Sequence, residues 1–285
     1  MKNANLNDIA ATVADVLGMD RKEILVTDAQ NEVMTIDILK KSVDAYSIIG
    51  QKDRLLRRLA ELPGIAITEK TSICSEGMLG WIALEEKGAR QALERSEKMA
   101  EEIQKKLSKR AIVFSTGFEV ESGQIEDTNK PTVAQRLEEE GYSVTIGPTL
   151  KDDDVLIAGS IKQSVESGGY GLVVTTGGVG AEAKDQTIEA LLALDPDAAT
   201  PYTCRFQIGT GRHSKDGVRI GVGKVSETLI VALPGPNDEV KLGLEELIKG
   251  LKSNLSKHML AENIAGTLRE ELQEKMGNPD EPKNI

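Results

Sequence analysis

From residue 111 onward, short apolar runs alternate with helical stretches, and few architectures accept that alternation. Ala111-Ile112-Val113-Phe114 is an unbroken apolar run, the pattern of a strand covered on both faces in a parallel sheet. Pro131–Glu140 then reads as a helix, Tyr142–Ile146 as a strand, Val155–Ser167 as a helix, Gly171–Thr176 as a strand and Lys184–Leu194 as a helix. Strands at Val218–Val225 and Thr228–Leu233 follow, and Pro234-Gly235-Pro236-Asn237 introduces a helix over Asp238–Lys257. Short connections between alternating elements imply an α/β domain, a mostly parallel sheet with helices on both faces.

The first hundred residues carry a different pattern. Ile9, Val13, Val16 and Leu17 recur at helical spacing, with Gly18 placed to stop the helix. Glu23–Leu39 alternates around Asp28-Ala29-Gln30-Asn31 as a hairpin would, and Ile48–Leu62 reads as a basic helix ended by Pro63-Gly64. Ile65–Thr68 and Met78–Leu84 read as a second strand pair, which would complete a small α+β domain of ferredoxin-like type. The expected division is therefore 1–88 for the α+β domain, 89–110 for a charged linking helix, 111–268 for the α/β domain and 269–285 for a flexible tail. Arg54, Arg57 and Arg58 on the basic helix read as a solvated face, with an anion contact as the other reading.

Composition narrows the function. With 35 basic and 46 acidic side chains the formal net charge is −11, which disfavours nucleic acid and anionic membrane as partners. A small anionic ligand stays open, because backbone amides or one metal ion reverse the sign locally. Cys74 and Cys204 are the only cysteines and His213 and His258 the only histidines; none is at zinc spacing, and a disulfide framework is not expected. No apolar stretch approaches a membrane span and no leader pattern opens the chain, so a cytoplasmic location is expected.

Ligands of doubly wound sheets bind beyond the carboxyl ends of the strands, and four polar segments fall there. They are Ser115-Thr116-Gly117-Phe118-Glu119 with the run 123–129, Lys151-Asp152-Asp153-Asp154, Thr175-Thr176-Gly177-Gly178-Val179-Gly180 with Asp185-Gln186-Thr187, and Leu233-Pro234-Gly235-Pro236-Asn237. A strand, a Gly-Gly-x-Gly turn and a helix would leave bare amides where a phosphate can approach, though an ordinary βα turn reads the same way. The turn has neither the Gly-Lys-Ser/Thr of a P-loop nor Gly-x-Gly-x-x-Gly spacing. Asp127, Asp152 and Asp185 each admit a plainer reading as a helix-terminal residue. His213, in the run 209–215, reads as a hairpin tip or as a phosphate contact, Cys204 as a small core residue, and Ser115 and Ser160 have no histidine near them in sequence.

In order and spacing, Thr116-Gly117-x-Glu119, Gly123 through Asp127-Thr128-Asn129, Asp152-Asp153, Thr175-Thr176-Gly177-Gly178-x-Gly180, Asp185-x-Thr187 and Leu233-Pro234-Gly235 resemble one family. From Phe114 to Leu251 the chain resembles the molybdopterin-binding domain of molybdenum-cofactor biosynthesis proteins, and most of all the amino-terminal domain of CinA-like proteins. The resemblance implies a three-layer α/β/α domain that assembles as a homo-oligomer, a trimer or dimer. It implies molybdopterin or an adenine nucleotide as ligand and Asp152 and Asp185 as catalytic residues and Mg²⁺ ligands. It places Thr116, Gly117, Glu119, Asp127, Asn129, Thr176, Gly177, Gly178, Gly180, Thr187, Pro234 and Gly235 around the ligand. Val179 and Ala181-Glu182-Ala183-Lys184 depart from the family pattern. Two functions follow. One is an enzyme, a nucleotidyltransferase acting on molybdopterin or a CinA-like nucleotide pyrophosphatase. The other is a non-catalytic pterin-binding or regulatory module whose first domain docks a partner.

Overall fold

The computed structural model describes residues 3–277 apart from 31, 210 and 212, and the chain divides into two units, Met1–Glu101 and Glu102–Ile285. In the first, α1 (Leu6–Leu17) is capped by the Asn5 side chain and stopped by Gly18, and it buries Ile9, Val13, Val16 and Leu17. A hairpin of β1 (Ile24–Gln30) and β2 (Val33–Ile38) packs on it through Ile24, Val26, Met34 and Ile36. The basic helix, expected over Ile48–Leu62, is shorter: it is α3 (Lys52–Ala60), preceded by the single turn α2 (Ala45–Ile48) and parted from it at Gly50 with φ +71°. Arg58 lies 3.3 Å from Asp15 and 3.5 Å from Glu61. α4 (Glu86–Ser108) follows and spans the division between the units.

The expected second strand pair is not formed. Residues 65–68 have no ladder, and Gly77–Ala83 is a 3₁₀ helix. Ile82 is buried and Ile65 and Trp81 are half-buried against the core, so these residues of the expected strands are covered without pairing, while Met78 and Leu84 are exposed. Among the described residues the unit is α+β with the β1–β2 hairpin and lacks the second strand pair that a ferredoxin-like fold requires.

The second unit opens with β3 (Arg110–Thr116), a four-residue turn of helix α5 (Phe118–Glu121), α6 (Asn129–Glu139), β4 (Ser143–Leu150) and α7 (Asp154–Gln163), which passes into a π turn at Ser164–Gly168. Next come β5 (Leu172–Thr176), α8 (Thr187–Leu194), β6 (Tyr202–Arg205), β7 (Gly217–Arg219), β8 (Gly221–Val225), β9 (Thr228–Leu233), α9 (Asn237–Lys252) and α10 (Lys257–Gly277). The main sheet has the order β4-β3-β5-β9-β8; β4, β3, β5 and β9 are parallel and β8 is antiparallel. Both faces are covered. Ala111 and Val113 join the core under α6, α9 and α10, whereas Ile112 and Phe114 join the one under α7 and α8. That is why the strand reads as an unbroken apolar run.

Three expectations need correction here. The stretch Val218–Val225 breaks at Ile220 into β7, which pairs with β6 in a separate hairpin, and β8 of the main sheet. Residues 269–277, expected in a flexible tail, continue α10, which docks through Leu260, Ala261, Ile264, Ala265 and Leu268; residues 278–285 lie outside the described residues. Cys204 on β6 is half-buried and not a core residue.

Asp195, 8% exposed, fastens α10 to the sheet edge. Its Oδ2 accepts from Lys257 Nζ and from the Lys224 amide, both at 2.8 Å, and its Oδ1 from the Asp197 amide at 3.1 Å. Burial pushes the carboxyl up, but Lys257 and the two amides outweigh it and hold it below the usual carboxylate value. A depressed folded-state pKa adds stability above the unfolded value and loses it as acidification passes the folded one. Lys257→Met removes the countercharge and is expected to lower the unfolding free energy by about 2 kcal/mol in urea melts at neutral pH. An unchanged midpoint would show that the two amides suffice.

Candidate functional site

The carboxyl ends of β3, β4, β5 and β9 lie side by side, because Thr116 is in register with Leu150, Ser115 with Thr176, and Thr176 with Leu233. The four polar segments therefore meet at one edge of the sheet. Among the described residues no helix is long and apolar enough to cross a membrane.

The glycine turn after β5 is packed against the end of β3. Gly177 donates its amide to the carbonyls of Leu233 and Pro234 at 3.1 and 3.2 Å, which ties the turn to the end of β9. Thr187 opens α8 and closes the turn: its amide donates to Gly178 O at 2.9 Å and its hydroxyl to Gly177 O at 3.0 Å. Thr116 Oγ1 lies 3.2 Å from the Thr187 hydroxyl, and both threonines are buried. Gly178 has φ +62°, and a Cβ there would stand 2.4 Å from Thr187 Oγ1, 2.6 Å from Thr116 Oγ1 and 3.5 Å from Asp152 Oδ1. At Gly180 a Cβ would stand 2.4 Å from Asp185 Oδ2. Among the described residues, the amides of Gly178, Val179 and Gly180 donate to no backbone carbonyl. Unengaged consecutive amides at the end of a strand form an anion-binding nest.

The two aspartates reach the turn from different sides. After β4, Asp153 caps α7 by accepting from the Leu156 amide at 2.9 Å, so Asp152 is not the cap. Asp152 Oδ2 accepts instead from the Phe118 amide at 3.0 Å, while Oδ1 is buried with no hydrogen-bond partner. Asp185 lies in the turn before α8, which begins at Thr187 rather than Lys184, and its Oδ2 accepts from the Glu182 amide at 2.8 Å. Burial pushes both carboxyls above their usual value; the Asp185 charge adds to this at Asp152, and the Glu182 charge at Asp185. Lys184 Nζ sits 2.6 Å from Glu119 Oε1 and 3.8 Å from Glu182 Oε2. Lys215 donates to the Asp185 carbonyl and lies 2.9 Å from Glu189.

Asp127 and Asn129 build the frame of this edge. Asp127 Oδ1 accepts from the amides of Asn129 and Lys130, both at 3.1 Å, and its Oδ2 is 3.2 Å from Lys130 Nζ. Burial pushes this carboxyl up, but the Ser115 hydroxyl and Lys130 outweigh it and hold it below its usual value. Asn129 donates to Gly235 O at 2.7 Å and accepts from Asn237 at 2.9 Å, which locks the Pro234-Gly235 turn to the start of α6. Ser160 bonds its own helix at Leu156 O. His213 stacks on Phe206 at 3.9 Å at the end of the β6–β7 hairpin, close to the undescribed residues 210 and 212.

Sequence spacing missed the roles of Lys184 and Asn237. Lys184 lies one residue from Asp185, yet its partner Glu119 is 65 positions away, and only the fold shows which acidic residue it meets. Asn237 was visible only as part of a Pro-Gly-Pro-Asn turn.

Two carboxylates do not make a closed metal cage, and among the described residues no cluster of three or more His, Cys, Asp or Glu side chains stands ready for a metal ion. They do suit Mg²⁺, which takes one or two carboxylates and completes its shell with water and substrate phosphate. The unpartnered Asp152 Oδ1 is the atom that fits such an ion.

Residues 112–253 match the family model described as "Probable molybdopterin binding domain". A CinA-like protein of Fervidobacterium nodosum is 37% identical over 83 residues, which cover 29% of this chain and 20% of that protein. The chain thus aligns with about a fifth of the length of this relative. Two solved structures are similar. One is the molybdopterin biosynthesis Mog protein from Mycobacterium ulcerans, 25% identical, covering 54% of this chain and 99% of that one with a TM-score of 0.43. The other is the molybdopterin biosynthesis enzyme MoaB from Thermus thermophilus, 20% identical, covering 55% and 96% with a TM-score of 0.42. Through residues 112–253, whose glycine turn and paired aspartates lie at one sheet edge, the chain belongs to the family of the probable molybdopterin binding domain.

Proposed function

We propose that the second unit binds the phosphate of molybdopterin or of an adenine nucleotide over Gly177, Gly178 and Gly180, and acts on it with Mg²⁺. The reaction would be nucleotidyl transfer to molybdopterin or hydrolysis of a nucleotide pyrophosphate bond. The observation that carries this reading is Asp152, a carboxylate with one oxygen buried and unpartnered beside the glycine turn. A buried acceptor without a donor is destabilising, and it is retained where a ligand satisfies it.

Each group has a part. The free amides of the turn hold phosphate oxygens. The hydroxyls of Thr116 and Thr187 fix the shape of the turn so that those amides are preorganised. Asp152 and Asp185 would hold Mg²⁺, which when bound offsets phosphate charge and stabilises charge developing at the transferring phosphorus. In a chain of net charge −11, an anion needs such a local source of positive charge.

A thermal-shift series tests the reading with the full chain and four additions: Mg²⁺ alone, ADP-ribose alone, ADP-ribose with Mg²⁺, and ATP with Mg²⁺. A ligand that binds only the native state at about 100 times its Kd adds about 2.7 kcal/mol. The nucleotides are expected to raise the melting temperature by several degrees when Mg²⁺ is present and by less without it. The same shift with and without Mg²⁺ would remove the metal from the reading, and no shift with either nucleotide would leave molybdopterin as the only ligand to test.

A further inference from the structure

Among the described residues, four carboxylates, Asp152, Asp185, Glu119 and Glu182, and two ammonium groups, Lys184 and Lys215, gather at the candidate site. Lys215 is held on the Asp185 carbonyl and Glu189, with its side chain 21% exposed. Lys184 is freer, its side chain 42% exposed, and it projects from the loop that carries Asp185. It reaches across to Glu119 on α5, the short helical turn whose first amide is bound by Asp152. The ion pair therefore joins two walls of the site, the segment after β3 and the segment after β5.

We propose that Lys184 is the phosphate-selecting residue of this site and that Glu119 is its resting partner. An arriving phosphate takes the ammonium over from Glu119, and the two walls are released as the anion is bound. This rests on the phosphate reading of the glycine turn. The exchange is one of hydrogen-bond partners, with no covalent step. It gives selectivity because breaking a surface ion pair is repaid only by a ligand carrying comparable negative charge; a neutral ligand leaves the pair closed. A loop-to-loop strap of purely structural use would not distinguish its two ends.

The distinguishing measurement is calorimetric titration of inorganic pyrophosphate in Mg²⁺ buffer into the full chain and its variants. Lys184→Gln is expected to bind about tenfold more weakly, the loss of a charge-assisted hydrogen bond to the anion. Glu119→Gln breaks the same ion pair but is expected to bind about threefold to tenfold more tightly, because the ammonium no longer has to leave its 2.6 Å partner and keeps only the looser Glu182 at 3.8 Å. Lys151 and Glu121, 3.9 Å apart with the Lys151 side chain 68% exposed, provide the control for a general change of charge. Lys151→Gln and Glu121→Gln are expected to stay within about twofold of wild type, as rim charges do in screening salt. Opposite signs at Lys184 and Glu119 with a silent control pair support the exchange. Weaker or unchanged binding in Glu119→Gln overturns it, and so do equal effects in the control pair. A wild-type chain that binds no pyrophosphate defeats the phosphate reading itself, a result distinct from any difference between variants.

Discussion

Asp152→Asn and Asp185→Asn are each expected to lower Mg²⁺-dependent turnover by more than about 100-fold while leaving the melting temperature unchanged or raised. The loss follows from the ion's preference for carboxylate oxygen over amide oxygen and from the scale of losing an electrostatic group aimed at a developing charge. The stability half follows from the sign of the pKa shifts. Burial lifts both carboxyls above their usual value, so the folded state holds the proton more tightly than the unfolded one. Protonation then favours the fold, and ionisation at neutral pH opposes it. An asparagine removes that opposition, and at position 185 its Oδ1 still accepts from the Glu182 amide. Asp127 is the opposite case, held below its usual value by Ser115 and Lys130, and Asp127→Asn should lower the melting temperature instead. Asp154→Asn, at the exposed first position of α7, should alter neither property. Release of AMP from ADP-ribose is the assay for turnover, with calorimetry of Mg²⁺-supported binding beside it. Equal turnover in wild type and Asp185→Asn would defeat the catalytic reading and leave a binding module. The raised pKa values also set the pH dependence: Mg²⁺ support should fade on acidification at a higher pH than ordinary carboxylates would give.

Where the local pattern matches the tertiary environment, the sequence is readable. β3, β5 and β9 lie in a sheet covered on both sides, and each declares itself by its own apolar run, whereas the edge strand β4 is largely exposed and carries no such run. The glycines of the turn are readable for the same reason, since a close approach of two chain segments excludes a Cβ whatever else surrounds it. In the first unit the same logic misleads. Ile65, Ile73 and Trp81 are apolar because they are covered, and burial alone does not tell a ladder from a 3₁₀ turn. α10 was missed because its polar residues are frequent and its inward ones are alanines as well as leucines. Adjacent aspartates posed a subtler problem. Asp152 and Asp153 differ by one position, yet one caps α7 and the other turns back to the Phe118 amide. Motif spacing selected Asp152, and the structure supplies the physical distinction. Partners far apart in sequence, such as Glu119 with Lys184 or Asn129 with Asn237, leave no local trace.

Gly178→Ala is expected to lower the unfolding free energy of the second unit by about 2–5 kcal/mol and to abolish phosphate binding. Two effects add. A non-glycine residue at φ +62° bears roughly 1–2 kcal/mol of backbone strain, and crowding in a well-packed region adds roughly 1–3 kcal/mol. The crowding cannot be relieved cheaply. The atoms that a Cβ would meet are the Thr187 and Thr116 hydroxyls, both on buried threonines that hydrogen-bond to the turn or to each other. Moving Thr187 breaks the bonds that close the turn at Gly177 and Gly178. Moving Thr116 shifts the end of β3, from which α5 and the Phe118–Asp152 bond follow. Gly235→Ala is the comparison that isolates the cause. A Cβ there meets only the Gly177 Cα at 3.8 Å, and its backbone is outside the left-handed region, so it should change the unfolding free energy by less than about 1 kcal/mol. Urea melts of the two variants, read beside pyrophosphate titrations, separate the outcomes. If Gly178→Ala unfolds with Gly235→Ala and still binds the anion, the turn is not packed between Thr116 and Thr187, and the phosphate must lie elsewhere.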